Sequence, residues 1–432
     1  MHIMNKLIDN LYSKELYKIF SVSGVRILIQ LIVGFLSSKA IAFFVGIPGM
    51  GVIGLVKSVT SFFNNFLLLG TQNGIITSLA SKRKIKNEEI FIVSLFWLFL
   101  LLSTFISIIS IIFFDEINKY FFVSQIKSDW ILILFVISVP FQAISLLFNA
   151  VLNGKSEYKN VASIGMITNI LTLIVSVFLM YKYNLQGAII GLLLTSIIMF
   201  VISSYYFFKI YSVTIFFKPF QFTRQEISPL LNYSLMSLVS IIMSFALSYY
   251  MRITIIDKFS LEYAGYYEAV LRISGFYMIF INTFVSFYYL PELAKCSLKE
   301  EVILLTKEYY KKIVPLFVIG LVILLLGIDF FIPFFFNKSF LVITPFVKYQ
   351  VFLDIIKSLC LILGIRFFAF GKTKGFLLTE IFSFIISFIL FVIAIRFFDF
   401  HGVWYSQIAS SFLYFIILIV FFKIYFKKNK LF

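Results

Sequence analysis

Apolar runs long enough to cross a bilayer follow one another along the whole of this chain. One of them, FIVSLFWLFLLLSTFISIISIIFF at 91–114, holds no charged residue. A helix rises about 1.5 Å per residue, so roughly 20 apolar residues cover the ~30 Å of a hydrocarbon core. A soluble domain has nowhere to put many such runs. Of 432 residues 61% are hydrophobic and 13% charged, against about 25% charged in ordinary globular chains. The predicted fold class is an all-α polytopic membrane protein.

Polar and turn residues divide the runs into about twelve spans, near 19–45, 51–79, 89–114, 129–153, 160–181, 185–208, 228–256, 265–291, 313–336, 342–370, 375–398 and 402–426. The connections, among them GIPGMG at 46–51 and LKEEVILLTKEYYKK at 298–312, are too short to hold an extramembrane domain. The opening MHIMNKLIDNLYSKELYKIF lacks the charged, apolar, small-residue order of a cleaved signal, so the first span is expected to stay.

A net charge of +17 raises the question of a nucleic-acid partner, but the basic residues are spread through short loops. Of 37 Lys and Arg, 23 fall on one side of the spans, including SKRKIK at 81–86, and six on the other (Lys119, Lys127, Lys182, Lys258, Lys338 and Arg396). The excess of cations on cytoplasmic loops then puts both termini in the cytoplasm, and no nucleic acid is expected as a partner.

The second half echoes the first. GKSEYKN at 154–160 aligns with GKTKGFL at 371–377, YNLQGAIIG at 183–191 with FDFHGVWYS at 398–406, and Gly51 with Gly265, at offsets of 214 to 217. Two similar six-helix lobes follow, inserted the same way up and related by an axis along the membrane normal, as in known transporter repeats. The expected organisation is a cytoplasmic segment 1–18, lobes at 19–212 and 228–426, a cytoplasmic linker 213–227 and a basic tail 427–432.

Eight cations fall inside spans: Arg26, Lys39, Lys57, Arg252, Arg272, Lys348, Lys357 and Arg366. The acids there are Glu268, Asp329, Asp354 and Glu380. Each would cost about 2.5–3.5 kcal/mol facing lipid at the midplane, so such residues turn to a protein interior or an aqueous cavity. Lys348, Arg366 and Lys39 lie near span ends, where snorkelling is the alternative. Arg272 follows Glu268 by one turn, the spacing of a structural pair. Asp354 and Lys357 read either as a self-neutralising pair or, with Glu380, as an ion- or proton-coupling site. The repeat brings Lys39 into register with Arg252 and Lys57 with Arg272. That symmetry predicts a cationic cavity between the lobes for an anionic substrate, since Arg and Lys pair with phosphate or carboxylate oxygens. Asn64, Asn65 and Asn73 make the second span polar, for interhelical hydrogen bonds or for contacts to sugar hydroxyls.

No phosphate-binding loop appears, His2 and His401 are isolated, and Cys296 and Cys360 have no metal or disulfide spacing. Neither an enzyme nor a cofactor is expected.

The stretch VRILIQLIVGFLSSKAIAFFVGIPGMGVIGLVKSVTSFFNNFLLLGTQNGI at 25–75 and its echo DKFSLEYAGYYEAVLRISGFY at 257–277 carry a resemblance. With twelve spans and cations in spans 1, 2, 7 and 8, the chain resembles the Wzx-type O-antigen and polysaccharide-repeat flippases of the multidrug/oligosaccharidyl-lipid/polysaccharide (MOP) exporter superfamily. The resemblance implies transfer of an undecaprenyl-diphosphate-linked oligosaccharide across the bacterial inner membrane by alternating access, among membrane lipids and alongside polysaccharide polymerase and chain-length machinery. It also implies that Arg26, Lys39, Lys57, Arg252 and Arg272 hold the diphosphate or acidic sugars. A drug exporter of the same superfamily and a membrane-embedded polysaccharide polymerase are the alternatives. An excess of cavity cations disfavours the first, and short outer loops disfavour the second.

Overall fold

The computed structural model describes residues 14–81, 87–115, 129–221, 224–296, 298–370 and 372–428. Among the described residues all regular structure is helical. The chain divides into two compact units, Met1–Ser37 with Val59–Leu238, and Ser38–Ser58 with Val239–Phe432. The first contains most of α1 (Lys14–Phe44), the end of α2 (Gly46–Leu67), α3 (Gln72–Ser81), α4 (Glu88–Ile112), α5 (Asp129–Gly154), α6 (Tyr158–Phe208) and the start of α7 (Arg224–Lys258). To the second belong the end of α1, the start of α2 and most of α7. It continues with α8 (Leu261–Phe284), α9 (Leu290–Lys295), α10 (Lys299–Glu308), α11 (Val314–Leu326), α12 (Ile328–Phe335), α13 (Thr344–Ala369), α14 (Thr373–Phe397) and α15 (Gly402–Lys428).

Nine helices among the described residues are long and apolar enough to cross a membrane. One of them, α6, is two spans, because Asn184 breaks it with a left-handed backbone (φ 46°). Helices α8 and α13 have the length but are too polar, with Glu268 and Arg272 among several tyrosines in one and Asp354, Lys357 and Arg366 in the other. With these the helices match the twelve predicted spans, and the chain is a multi-pass membrane protein. Helix α4 illustrates the lipid-facing pattern: Leu101, Phe105, Ile108 and Ile112 point outward while Ser103, Ser107 and Ser110 are buried. Small polar residues let helices approach closely, and lipid supplies no penalty for exposed leucine.

The sequence repeat is present in the backbone. Glu157 N–H donates to the Leu152 carbonyl and Lys372 N–H to Phe367, 215 residues on in both partners (157 and 372). Lys155 to Val151 and Phe370 to Arg366 repeat in the same way. The polar island after α5 and that after α13 therefore close their helices alike, but at an offset of 215. Lys372 thus stands opposite Glu157 and not opposite Lys155 as the GKSEYKN/GKTKGFL alignment has it. Gly371 itself lies outside the described residues. Asn184 and Asp399 both have φ 46°. Three residues later stand Gly187 and Gly402, where a β-carbon would lie 2.0 Å and 2.3 Å from the Leu179 and Ala394 carbonyl oxygens. Only glycine tolerates that approach.

Three sequence expectations need correction. The second span is not continuous from 51 to 79: Leu69 (φ 49°) and Gly70 (φ 67°) end α2 before α3 begins. The break is fastened, since Ser234 Oγ donates to the Leu69 carbonyl and Thr71 Oγ1 to that of Leu68. The stretch 298–312, read as a polar connection, is helical instead. Val302, Thr306 and Tyr309 are buried at i, i+4 and i+7, leaving its charges on the other face. Arg366, read as snorkelling, is only 5% exposed. It donates to Thr306 Oγ1 at 2.6 Å and lies over the Phe422 ring, both partners coming from remote segments.

Helices α2 and α8 cross at glycine. A β-carbon on Gly265 would sit 2.0 Å from the Ile47 carbonyl oxygen, and one on Gly51 2.7 Å from that of Leu261. Backbone cannot yield as a side-chain tip can, so Gly265→Ala should push the two helices apart. The expected result is a several-fold loss of folded protein from the membrane, read by quantitative immunoblot of membrane fractions.

Candidate functional site

The close α2–α8 crossing brings four charged side chains of the second unit together. Glu268 on α8 is 1% exposed. Arg252 on α7 reaches it at 2.9 Å, Arg272, one turn along α8, at 3.3 Å, and Lys57 on α2 at 3.7 Å. Gly54 makes room for them, since a β-carbon there would meet Arg252 Nη1 at 2.6 Å and Glu268 Oε2 at 2.8 Å. The Arg252 guanidinium lies over the Tyr267 ring, its centroid 5.4 Å away. Three cations and one carboxylate leave an excess of two positive charges. Arg252 Nε and Nη1 are buried without a hydrogen-bond acceptor, and Arg272 Nε meets Glu268 Oε1 only as an ion pair, without hydrogen-bond geometry. Lys57 keeps about half of its side chain (52%) exposed. Donors of fixed direction, an excess of charge and one accessible member are the chemistry that pairs with an anion.

The other two predicted cations stand elsewhere. Lys39 Nζ donates to the carbonyls of Pro333 and Phe334 at 2.9 and 3.1 Å, the open end of α12. A cation there satisfies carbonyls that have no intrahelical partner and complements the helix dipole. Arg26, in the first unit, lies across Gly165, with Nε 3.1 Å from where a β-carbon would stand. Glu268 was the member that sequence reasoning did not place in the site. Its spacing to Arg272 suggested a private pair, and only the fold brings Lys57 and Arg252 to it.

Asp354 and Lys357 do not neutralise one another. Asp354 is 2% exposed and accepts from Ser274 Oγ (2.5 Å), Tyr277 OH (2.6 Å) and Gln350 Nε2 (3.0 Å). Trp404 Nε1 in turn holds Gln350 Oε1 at 3.1 Å. This is a buried carboxyl with neutral donors and no cation partner among the described residues. Lys357 and Glu380 instead line a common cavity of the second unit, where Tyr414 OH donates to Glu380 Oε1 at 3.0 Å. In the first unit Asn64 is half-buried, and Asn65 is exposed with Nδ2 on the Ser61 carbonyl at 2.8 Å. The Asn73 side chain and the basic residues Lys82, Arg83, Lys84 and Lys86 lie outside the described residues.

A family model described as "Polysaccharide biosynthesis protein" matches residues 41–345, which include Lys57, Arg252, Glu268 and Arg272. The chain belongs to that family. No curated protein matches it significantly. Among solved structures this polysaccharide biosynthesis family member is similar to the MATE multidrug transporter DinF-BH (17% identity, TM-score 0.68, 95% of each chain covered). It is also similar to the lipid II flippase MurJ in an inward closed conformation (16% identity, TM-score 0.69, 94% of this chain and 87% of that one). A third similar structure is a MOP superfamily transporter from Pyrococcus furiosus whose binding pocket is described as having reversed polarity (15% identity, TM-score 0.60, 92% and 95%). At these identities the likeness establishes the fold, that of the MOP transporters.

Proposed function

We infer that this chain translocates a lipid-linked oligosaccharide, an undecaprenyl-diphosphate-linked repeat unit for O-antigen, capsule or a related glycan, across the bacterial inner membrane. The observation that carries the reading is the convergence of Lys57, Arg252 and Arg272 on Glu268 in a family described by polysaccharide biosynthesis. A diphosphate offers several anionic oxygens, and the unmatched guanidinium N–H groups are suited to take them. The site would open alternately to the two faces of the membrane, with both termini cytoplasmic and the polyprenyl tail left in lipid. Organisation into the 1–18 segment, two lobes, the 213–227 linker and the 427–432 tail is part of the same reading. So are polymerase and chain-length proteins as downstream partners.

Arg26 and Lys39 belong to the reading as outlying cations, and Asn64, Asn65 and Asn73 as sugar contacts. Asp354, with Lys357 and Glu380, is the candidate for ion or proton coupling. Asp354 is the member held deep in the unit by neutral donors, with no cation partner among the described residues. The chain would act as a transporter and not as an enzyme. Deleting the gene in its host tests the function. Lipid-linked oligosaccharide should accumulate while surface polysaccharide is lost. Normal polymer together with sensitivity to cationic dyes would favour drug export instead.

Gly54→Ala separates the site from the fold. The atoms it meets are side-chain tips, so the helices can keep their places while Arg252 and Glu268 shift. Transport should fall several-fold at unchanged membrane abundance, in contrast to Gly265→Ala.

A further inference from the structure

Inside the second unit, α7, α13, α14 and α15 line an open-sided cavity of about 480 Å³. Its size falls in the range of roughly 300–1,000 Å³ typical of small-molecule sites. Each of three helices turns a face to it at heptad spacing: Lys357 and Gly364 on α13, Glu380, Ser383 and Ser387 on α14, Gln407, Ser411 and Tyr414 on α15. Seven residues span about 10 Å of helix. Serine in a membrane helix ordinarily serves close packing, or bonds back to its own helix, as Ser358, Ser406 and Ser410 do here. Ser410 lines the cavity too and bonds back to Gln407, but this account does not cover its neighbours. Ser383, Ser387 and Ser411 face the cavity, and among the described residues their hydroxyls make no hydrogen bond within the protein.

The lining narrows the ligand. Lys357 and Glu380 both face the cavity with no ion pair between them, so its charge is balanced, unlike the cluster at Glu268. A second diphosphate would meet Glu380, and a metal cation would meet Lys357. A polyprenyl tail would strand the serines, Gln407 and both charges against hydrocarbon. A sugar ring fits instead. Its hydroxyls donate and accept, as do serine hydroxyls and an amide, and its C–H faces suit Leu247, Leu361 and Phe376, which complete the wall.

We propose that this cavity binds a sugar ring of the transported oligosaccharide and sets which repeat unit is accepted. The proposal rests on the lipid-linked oligosaccharide reading and assigns its glycan a site apart from the cationic cluster. The test uses the purified full chain in nanodiscs and two probes. The first is the lipid-linked oligosaccharide extracted from a strain lacking this chain. The second is the same polyprenyl diphosphate carrying no sugar. The wild type should bind the glycosylated lipid at least roughly 10-fold more tightly, the size of one or two good hydrogen bonds. Ser383→Leu with Ser387→Leu should abolish that preference while leaving affinity for the bare diphosphate unchanged. Ser411→Leu, on a different helix, should do the same and guards against a folding defect in the first variant. Retention of the preference in either folded variant overturns the sugar site, as does a wild type that binds both lipids equally. A wild type that binds neither lipid overturns the transport reading itself, and the sugar site with it.

Discussion

Glu268→Gln is expected to deplete the folded protein from the membrane and to lower its thermal stability in detergent. The substitution keeps the shape but leaves Lys57, Arg252 and Arg272 gathered in a buried place with nothing to hold their charge. Removing one side of a buried ionic group costs about 3–5 kcal/mol, a large part of a stability that totals only about 5–15 kcal/mol. Two rescues distinguish this cause from generic damage. Adding Arg252→Gln should restore abundance, because the surplus charge falls. Inorganic pyrophosphate should raise the melting temperature of Glu268→Gln more than that of wild type, since an anion that binds only the folded state stabilises it. Wild-type stability in Glu268→Gln would mean that the cations do not depend on the carboxylate.

Arg252→Gln has the opposite signature. Glu268 keeps Arg272 and Lys57 as partners, so the carboxylate is not orphaned and the protein should remain abundant. What is lost is the guanidinium whose Nε and Nη1 have no acceptor within the protein. A hydrogen bond to a charged group contributes about 1.5–3 kcal/mol, so affinity for a polyprenyl diphosphate should fall roughly 10- to 150-fold. Transport at limiting substrate should fall with it, and Arg272→Gln should behave alike. Unaltered transport in both variants would remove the arginines from the site, and loss of protein would make them structural.

The uneven legibility of this chain has physical causes. Spans were readable because lipid demands long apolar runs, and the repeat because Gly187 and Gly402 sit where a β-carbon would strike a carbonyl. The helix break at Leu69 and Gly70 was only partly readable: Gly70 is a turn signal but Leu69 is not, and the partner that holds the break, Ser234, is 165 positions away. Among the charges, local spacing gave the Glu268–Arg272 pair but not the arrival of Lys57 and Arg252 from other helices. The same limit misread Arg366, which looked like an interfacial residue until Thr306 and Phe422 enclosed it. Asp354 and Lys357 appeared paired because they are three apart, yet donors from α8 occupy one while the other turns to the cavity. Gly54, one turn before Lys57, was the local sign that something large packs against that face of α2.

Transbilayer movement in proteoliposomes tests the central claim most directly. The purified chain would be reconstituted with the lipid-linked oligosaccharide extracted from the deletion strain, with and without proton and sodium gradients. The fraction reaching the opposite leaflet would be read with a membrane-impermeant glycan-modifying enzyme. The predicted result is movement that requires the protein and falls at least roughly 10-fold in Arg252→Gln. Lipid-linked oligosaccharide that stays in its leaflet under every gradient, while a cationic dye crosses the same vesicles, would contradict it.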